Sequence, residues 1–210
     1  MTDTSFALSE EEPVAPDPID GRSLRRLKNR DAVIDALISL LTEGNLSPTV
    51  AEVANKVEIS PRSVFRYFAD VDAMMEAAID SRMRTAYALA RLPVPRPKDL
   101  VARLEKLADT REALYSYLAP VARVVRNRLR ETVPTNALLE ESQTRLREQI
   151  NEVFRDEFYA LGERAAEALI VLDTLFSYDG WNHLRVVSGL SADEVRRIQI
   201  STGQRILGAS

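Results

Sequence analysis

Cysteine is absent from this chain and histidine occurs once, at His183. The first absence excludes disulfides, thiolate nucleophiles and cysteine-based zinc or iron–sulfur sites, and the second leaves too few imidazoles for a histidine-rich metal site. No cofactor is expected. Long apolar runs are missing too: no stretch approaches the roughly 20 residues of a membrane span, and the N-terminus lacks the basic start and apolar core of a secretion signal. The expectation is a cytoplasmic protein with no membrane partner. There is no GxGxxG or Walker-type loop and no HExxH, and adjacent acids such as Glu140 and Glu141 are accounted for as solvated helix charge. An enzyme is therefore not expected. What is present is a chain of 210 residues, 45% hydrophobic and 29% charged, enough to bury a core without covalent staples.

The net charge of −4 argues against a polyanionic partner only if it is spread evenly. It is not. Residues 1–20 hold Asp3, Glu10, Glu11, Glu12, Asp17 and Asp20 without a single base, so the remainder of the chain is net positive. Pro13, Pro16 and Pro18 make this segment (residues 1–21) an extended acidic arm outside the fold. Directly after it stand Arg22, Arg25, Arg26, Lys28 and Arg30 with no acid among them. Such a run is either a solvated helix face or a field that finds a phosphate backbone.

From about residue 23 onward apolar residues recur at three- and four-residue steps, and no segment alternates as a strand does, which predicts an all-α fold. A first helix over 24–43 carries Val33, Leu37 and Leu40 and stops at Gly44. The second begins either at Ser47 with Pro48 or at Thr49 with Glu52 three residues on, and ends near Val57. The third is marked by Ser60 as N-cap, Pro61 at its first position and an Ile59–Val64 staple, and runs to about Phe68. Two residues between the second and third helices leave room only for a sharp helix-turn-helix corner. At 100° per residue, Val64 and Phe68 share the buried side, and Arg62 and Arg66 point outward between Ser63 and Phe65. A guanidinium fork can grip a guanine edge or a phosphate, and the sequence leaves open which arginine does which. A connecting helix over 70–92 precedes Pro93, Pro95 and Pro97. Further helices are predicted at 98–118, 120–132, 136–160, 163–188 and 191–207, the last opened by a Ser191–Glu194 capping box.

The run from Thr49 through Ala54, followed by Ile59-Ser60-Pro61-Arg62-Ser63-Val64-Phe65-Arg66-Tyr67-Phe68, resembles the DNA-binding region of TetR-family transcriptional regulators. The usual pattern there is Thr-x-x-x-Ile-Ala, then Val-Ser-x-Gly-Thr-Leu-Tyr-x-Tyr/His-Phe, then Lys-Glu-x-Leu. The resemblance implies a helix-turn-helix domain over 22–69, a connecting helix over 70–92 and a ligand-binding and dimerisation domain over 93–210. It also implies a homodimer on a palindromic double-stranded operator, most simply a repressor released by a small-molecule effector. Thr49, Ser60, Arg62, Ser63, Phe65, Arg66 and Tyr67 are then expected at the DNA, with Arg25, Arg26 and Lys28 from the basic run. Four departures stand out. Arg62 replaces a frequent glycine and adds a cation at the reading surface. Glu58 occupies the position of the turn glycine, where a left-handed backbone strains a residue with a β-carbon. Val71 replaces a lysine that often meets phosphate, and Phe65 replaces a tyrosine and so lacks its hydroxyl.

The segment 163–188 is apolar around most of its circumference and must be covered on several sides. With the last helix it is expected to form the dimer interface through Leu169, Leu172, Val195 and Ile198. Candidates for lining an effector pocket are Tyr115, Arg123, Asn127, Phe176, Tyr178 and Trp181. The alternative function is a helical ligand-carrier or protein-interaction module that does not bind specific DNA.

Overall fold

The computed structural model describes residues 21–92, 97–128 and 134–208. The acidic arm of residues 1–20 lies outside them, as do Pro93 and Pro95. Among the described residues the chain is all-α, with helices and turns and no strand. The α-helices are α1 (Gly21–Thr42), α2 (Val50–Lys56), α3 (Pro61–Phe65), α4 (Val71–Leu89), α5 (Leu100–Arg128), α6 (Pro134–Val153), α7 (Arg155–Leu161), α8 (Ala165–Leu175), α9 (Tyr178–Asn182) and α10 (Ala192–Leu207), with a 3-10 turn at Gly162–Arg164 and a π-helical turn at His183–Val187.

The two corners that set the angles of α1, α2 and α3 are closed by the same motif. After α1, Gly44 N–H bonds the Leu41 carbonyl at 3.2 Å and Asn45 N–H the Leu40 carbonyl at 3.0 Å, with Gly44 at φ 95°. After α2, Glu58 N–H bonds Asn55 and Ile59 N–H bonds Ala54, and Glu58 sits at φ 59°. Both are Schellman endings, which place one residue in the left-handed region. The second corner therefore keeps its geometry in spite of its glutamate. Of the two starts open for α2, the structure takes Thr49: its side chain accepts from Glu52 N–H while the Glu52 carboxylate accepts from Thr49 N–H. Lys56 to Glu43 at 2.7 Å and Asn45 to Glu52 at 3.2 Å tie the end of α1 to α2.

Among the described residues three apolar clusters hold the fold together. The first joins Val33, Leu37 and Leu41 of α1, Val53 of α2, Val64 and Phe68 of the α3 region, Met74, Met75 and Ala78 of α4, and Val121 and Val124 from the far end of α5. The second gathers Leu104 and Leu107 of α5 with Ile150, Phe154, Phe158, Leu172, Phe176 and Leu207. A third, around Ala86, Leu114, Tyr115 and Trp181, lies on the outer half of α4. α4 and α5 thus contribute side chains at both ends. The β-carbon missing at Gly203 would come within 2.6 Å of Leu104, so α10 approaches α5 where only glycine fits.

Three expected boundaries fall elsewhere. Pro120 does not break the helix but lies inside α5. Proline removes one i→i−4 bond and frees carbonyls in the preceding turn, and the Arg82 guanidinium donates to the Tyr117 carbonyl there at 2.9 Å while stacking over the Tyr117 ring. The expected helix 136–160 is interrupted at Phe154. Arg103 holds the break, donating to the Val153 carbonyl and pairing with Glu157. The expected helix 163–188 ends at Leu175, and the carbonyls it leaves open are taken from three directions: Ser177 donates to Thr174, Gln199 to Leu175 and Tyr115 to Phe176. Ser177 then caps α9 by accepting from Gly180 N–H.

Candidate nucleic-acid interface

Ser60 accepts from Ser63 N–H and Pro61 begins α3 without an unpaired donor, so the short helix is fixed at its start. Its anchor is Val64 with Phe68 just beyond, 1% and 5% exposed in the first cluster. These two decide the rotation, and the rotation decides what faces out. Arg62, Phe65 and Arg66 are all exposed, Phe65 by 54%. Ser63 is half-buried, with its hydroxyl 3.0 Å from that of Ser60. α3 ends at Phe65 rather than Phe68, but Phe68 N–H still bonds the Val64 carbonyl, so the turn continues the same face.

Tyr67 joins this face to α1. Its hydroxyl oxygen accepts from Arg66 Nη2 at 3.0 Å and from Asn29 Nδ2 at 3.3 Å. The Asn29 bond first, and then Arg66, hold the phenol below its ordinary pKa. With both acceptor positions used, the hydroxyl proton is left to be donated outward. Arg30 stacks over the Phe68 ring at 5.0 Å from the same helix, and Arg25, Arg26 and Lys28 are exposed. None of these three, nor Arg62, forms an ion pair among the described residues. Thr49 is exposed at the start of α2, and its hydroxyl is engaged by Glu52, to which it donates at 2.7 Å. Val71 is half-buried and packs on the first cluster, so the start of α4 offers no cation at this position.

In the C-terminal half the proposed ligand residues do not share one cavity. Tyr115, Tyr178 and Trp181 pack on one another with ring centroids 5.6–6.0 Å apart, and Trp181 donates to Glu112 at 2.6 Å. Phe176 is buried in the second cluster, Arg123 is exposed, and the Asn127 side chain lies outside the described residues. A cavity of about 210 Å³ opens instead between α4, α5 and α6. Of the candidates whose side chains are described only Tyr115 lines it, beside Ala86, Leu114, Leu118 and Leu146, with Arg91 and Arg145 among its lining. These residues carried no sequence signal, because they converge from three helices and are of ordinary core type. Tyr115 donates to Phe176, and burial pushes its phenol up to about 12.

Behind the wall stands Arg111, fully buried. Its guanidinium donates to Gln149 Oε1 at 2.9 Å and to the Leu146 carbonyl at 3.2 Å, and its Nε has no partner. Burial, above all, lowers its pKa, and burial raises that of Asp173 nearby. Of the proposed interface residues, Leu172 and Val195 are buried within their own subunit, and Leu169 and Ile198 are half-buried. The exposed large apolar side chains of α8 are Ile170 and Val171. Among the described residues no helix is long and apolar enough to cross a membrane.

No family model and no curated protein matches this sequence. Its fold does match solved structures. A Rhodococcus protein assigned to the TetR-family transcriptional regulators superposes with a TM-score of 0.61 at 15% identity, over 86% of this chain and 99% of that one. A second, from Mesorhizobium loti, gives 0.58 at 14% identity over 88% and 98%. A TetR-family transcription regulator from Marinobacter aquaeolei gives 0.53 at 15% identity over 87% and 97%. The architecture, an N-terminal helix-turn-helix followed by a helical C-terminal part, is the one these proteins have.

Proposed function

We propose that this chain is a sequence-specific, DNA-binding transcriptional regulator of the TetR type. It acts as a homodimer on a palindromic operator and represses until a small-molecule effector releases it. The observation that carries the reading is the outward face of α3. Two guanidiniums without a carboxylate partner among the described residues, Arg62 and Arg66, the latter hydrogen-bonded to the Tyr67 hydroxyl, flank an exposed phenyl ring on a rod narrow enough for the major groove. A single exposed ring is ordinary by itself; what supports the reading is that this one shares the face of α3 with two guanidiniums, a combination that suits base edges and phosphates. In this reading Phe65 meets sugar or a thymine methyl, Tyr67 donates to a phosphate, and Arg25, Arg26 and Lys28 supply charge along the backbone. Thr49 has its hydroxyl engaged by Glu52, so it serves better as the cap that aims α2.

Two-fold pairing falls to the exposed side of α8, where Ile170 and Val171 need covering, rather than to Leu172 and Val195. α4 runs from the first cluster at Met74 to the cavity at Ala86 and Tyr87. A ligand that favours one placement of its outer half shifts the balance between dimer forms whose reading helices are rightly or wrongly spaced.

Selection of genomic fragments by the full chain, followed by titration of the enriched site, tests the proposal. Arg62→Ala or Arg66→Ala is expected to cost about 1–3 kcal/mol on that site if the side chain reads a base, and to weaken all DNA alike if it meets phosphate. A double alanine variant that binds as tightly as wild type overturns the assignment, as does the absence of any enriched sequence.

A further inference from the structure

The effector-controlled reading leaves the chemistry of the ligand open, and the cavity narrows it. Its interior is almost wholly apolar, formed by Ala86, Tyr87, Leu114, Leu118 and Leu146. At interior packing density about 210 Å³ accommodates roughly ten non-hydrogen atoms. The charged groups of its lining are both cations. Arg91 is exposed and has no ion pair among the described residues. Arg145 is held in place by stacking over the Tyr87 ring at 5.4 Å and by Glu141 at 2.5 Å.

A third cation lies deeper. Arg111 is enclosed, has no carboxylate within ion-pair distance among the described residues, and leaves Nε unpartnered. It reaches the cavity wall through Gln149, which accepts from Arg111 and donates to the Ala90 carbonyl at 2.9 Å. Asp173 acts on Arg111 from nearby without forming an ion pair, so the buried guanidinium is only partly opposed, at a cost, and its field reaches into the neighbouring space. An anion seated nearby relieves that cost, and a cation adds to it.

We infer that the cavity between α4, α5 and α6 binds a compact apolar monocarboxylate, its hydrocarbon body inside and its carboxylate at the mouth between Arg91 and Arg145. Carboxylate is chosen because a guanidinium fork matches its two oxygens. This inference rests on the effector reading of the same site. Both arginines stand on elements that the ligand would join, Arg91 just past the end of α4 and Arg145 on α6. Binding would therefore draw the outer end of α4 toward α6.

The test uses three probes of one shape, octanoate, octanol and octylamine, titrated calorimetrically into the full chain. Octanoate is expected to bind about tenfold more tightly than octanol, and octylamine more weakly than either. The Arg91→Gln, Arg145→Gln double variant is expected to remove the advantage of octanoate and leave octanol unchanged. Ala90→Leu, which fills the cavity, is expected to abolish binding of both, with Leu118→Phe as the second filling variant if that one does not fold. Equal binding of octanoate and octanol by wild type overturns the inference, as does binding of neither, or tight octanoate binding by a folded filling variant. Operator binding is measured in parallel. Octanoate that binds without changing DNA affinity upholds the inference and removes the release step. DNA binding intact with no octanoate bound removes the inference and leaves the DNA-binding reading standing.

Discussion

Replacing Glu58 by glycine isolates the strain in the corner that aims α3. Glu58 has the only non-glycine positive φ among the described residues, 59°, and it is exposed. A left-handed backbone costs a residue with a β-carbon about 1–2 kcal/mol. Glycine avoids that but loses about 0.5–1 kcal/mol more backbone entropy on folding. The difference predicts that Glu58→Gly stabilises the protein by about 0.5–1 kcal/mol, a rise in melting temperature of roughly 1–4 °C for a chain of this size. Glu58→Ala is the control: it removes the carboxylate and keeps the β-carbon, so its change should stay within about 0.5 kcal/mol. Urea unfolding of the full chain measures both, with the midpoint moving and the slope unchanged for the glycine variant. Equal midpoints for the glycine and alanine variants would show that the corner stores no backbone strain. A glycine variant less stable than wild type would refute the reasoning outright.

Other expectations follow from charge and burial. Tyr115 ionises near 12 when folded and near 10 when unfolded, so between those values the folded state holds the extra proton. Its contribution is intact below pH 10 and is lost as pH rises to 12, a fall of about 3 kcal/mol. Tyr115→Phe should flatten that part of the alkaline stability curve, and an unchanged slope would assign it to another group. Deleting residues 1–20 should tighten binding to non-operator DNA at low salt and make no difference at high salt, because removing six acids beside the basic run acts through a screened field. Matching titrations at low salt would exclude an influence of the arm. Ile170→Asp with Val171→Asp should yield a folded monomer by sedimentation and weaken operator binding; a persistent dimer would place the two-fold contact elsewhere.

Features written within four residues of one another were legible in the sequence. The Ser60–Pro61 start, the Ser191–Glu194 capping box and the Gly44 stop appear in the structure where spacing puts them. So does the rotation of α3, which two buried side chains suffice to fix. The interruptions at Phe154 and Phe176 were not legible, because what stabilises them comes from far along the chain: Arg103 in one case, Tyr115 and Gln199 in the other. Pro120 misleads for the same reason, its penalty being offset by Arg82 from another helix. The cavity escaped because Ala86, Leu114 and Leu146 are unremarkable singly and acquire a role only where α4, α5 and α6 meet. Aromatic residues drew attention to Tyr178 and Trp181, whose rings fill space beside Tyr115.

The participation of Val121 and Val124 in the first cluster has a practical corollary. A fragment cut at the prolines after α4 would keep every side chain of the outward face of α3 yet lose two buried members of the cluster that contains Leu37, Val53 and Met74. It should be soft, sticky and prone to self-association rather than a free-standing miniature. Heating the whole molecule should accordingly melt the N-terminal and C-terminal parts together, and a compound that tightens the latter would raise the temperature at which the former comes apart.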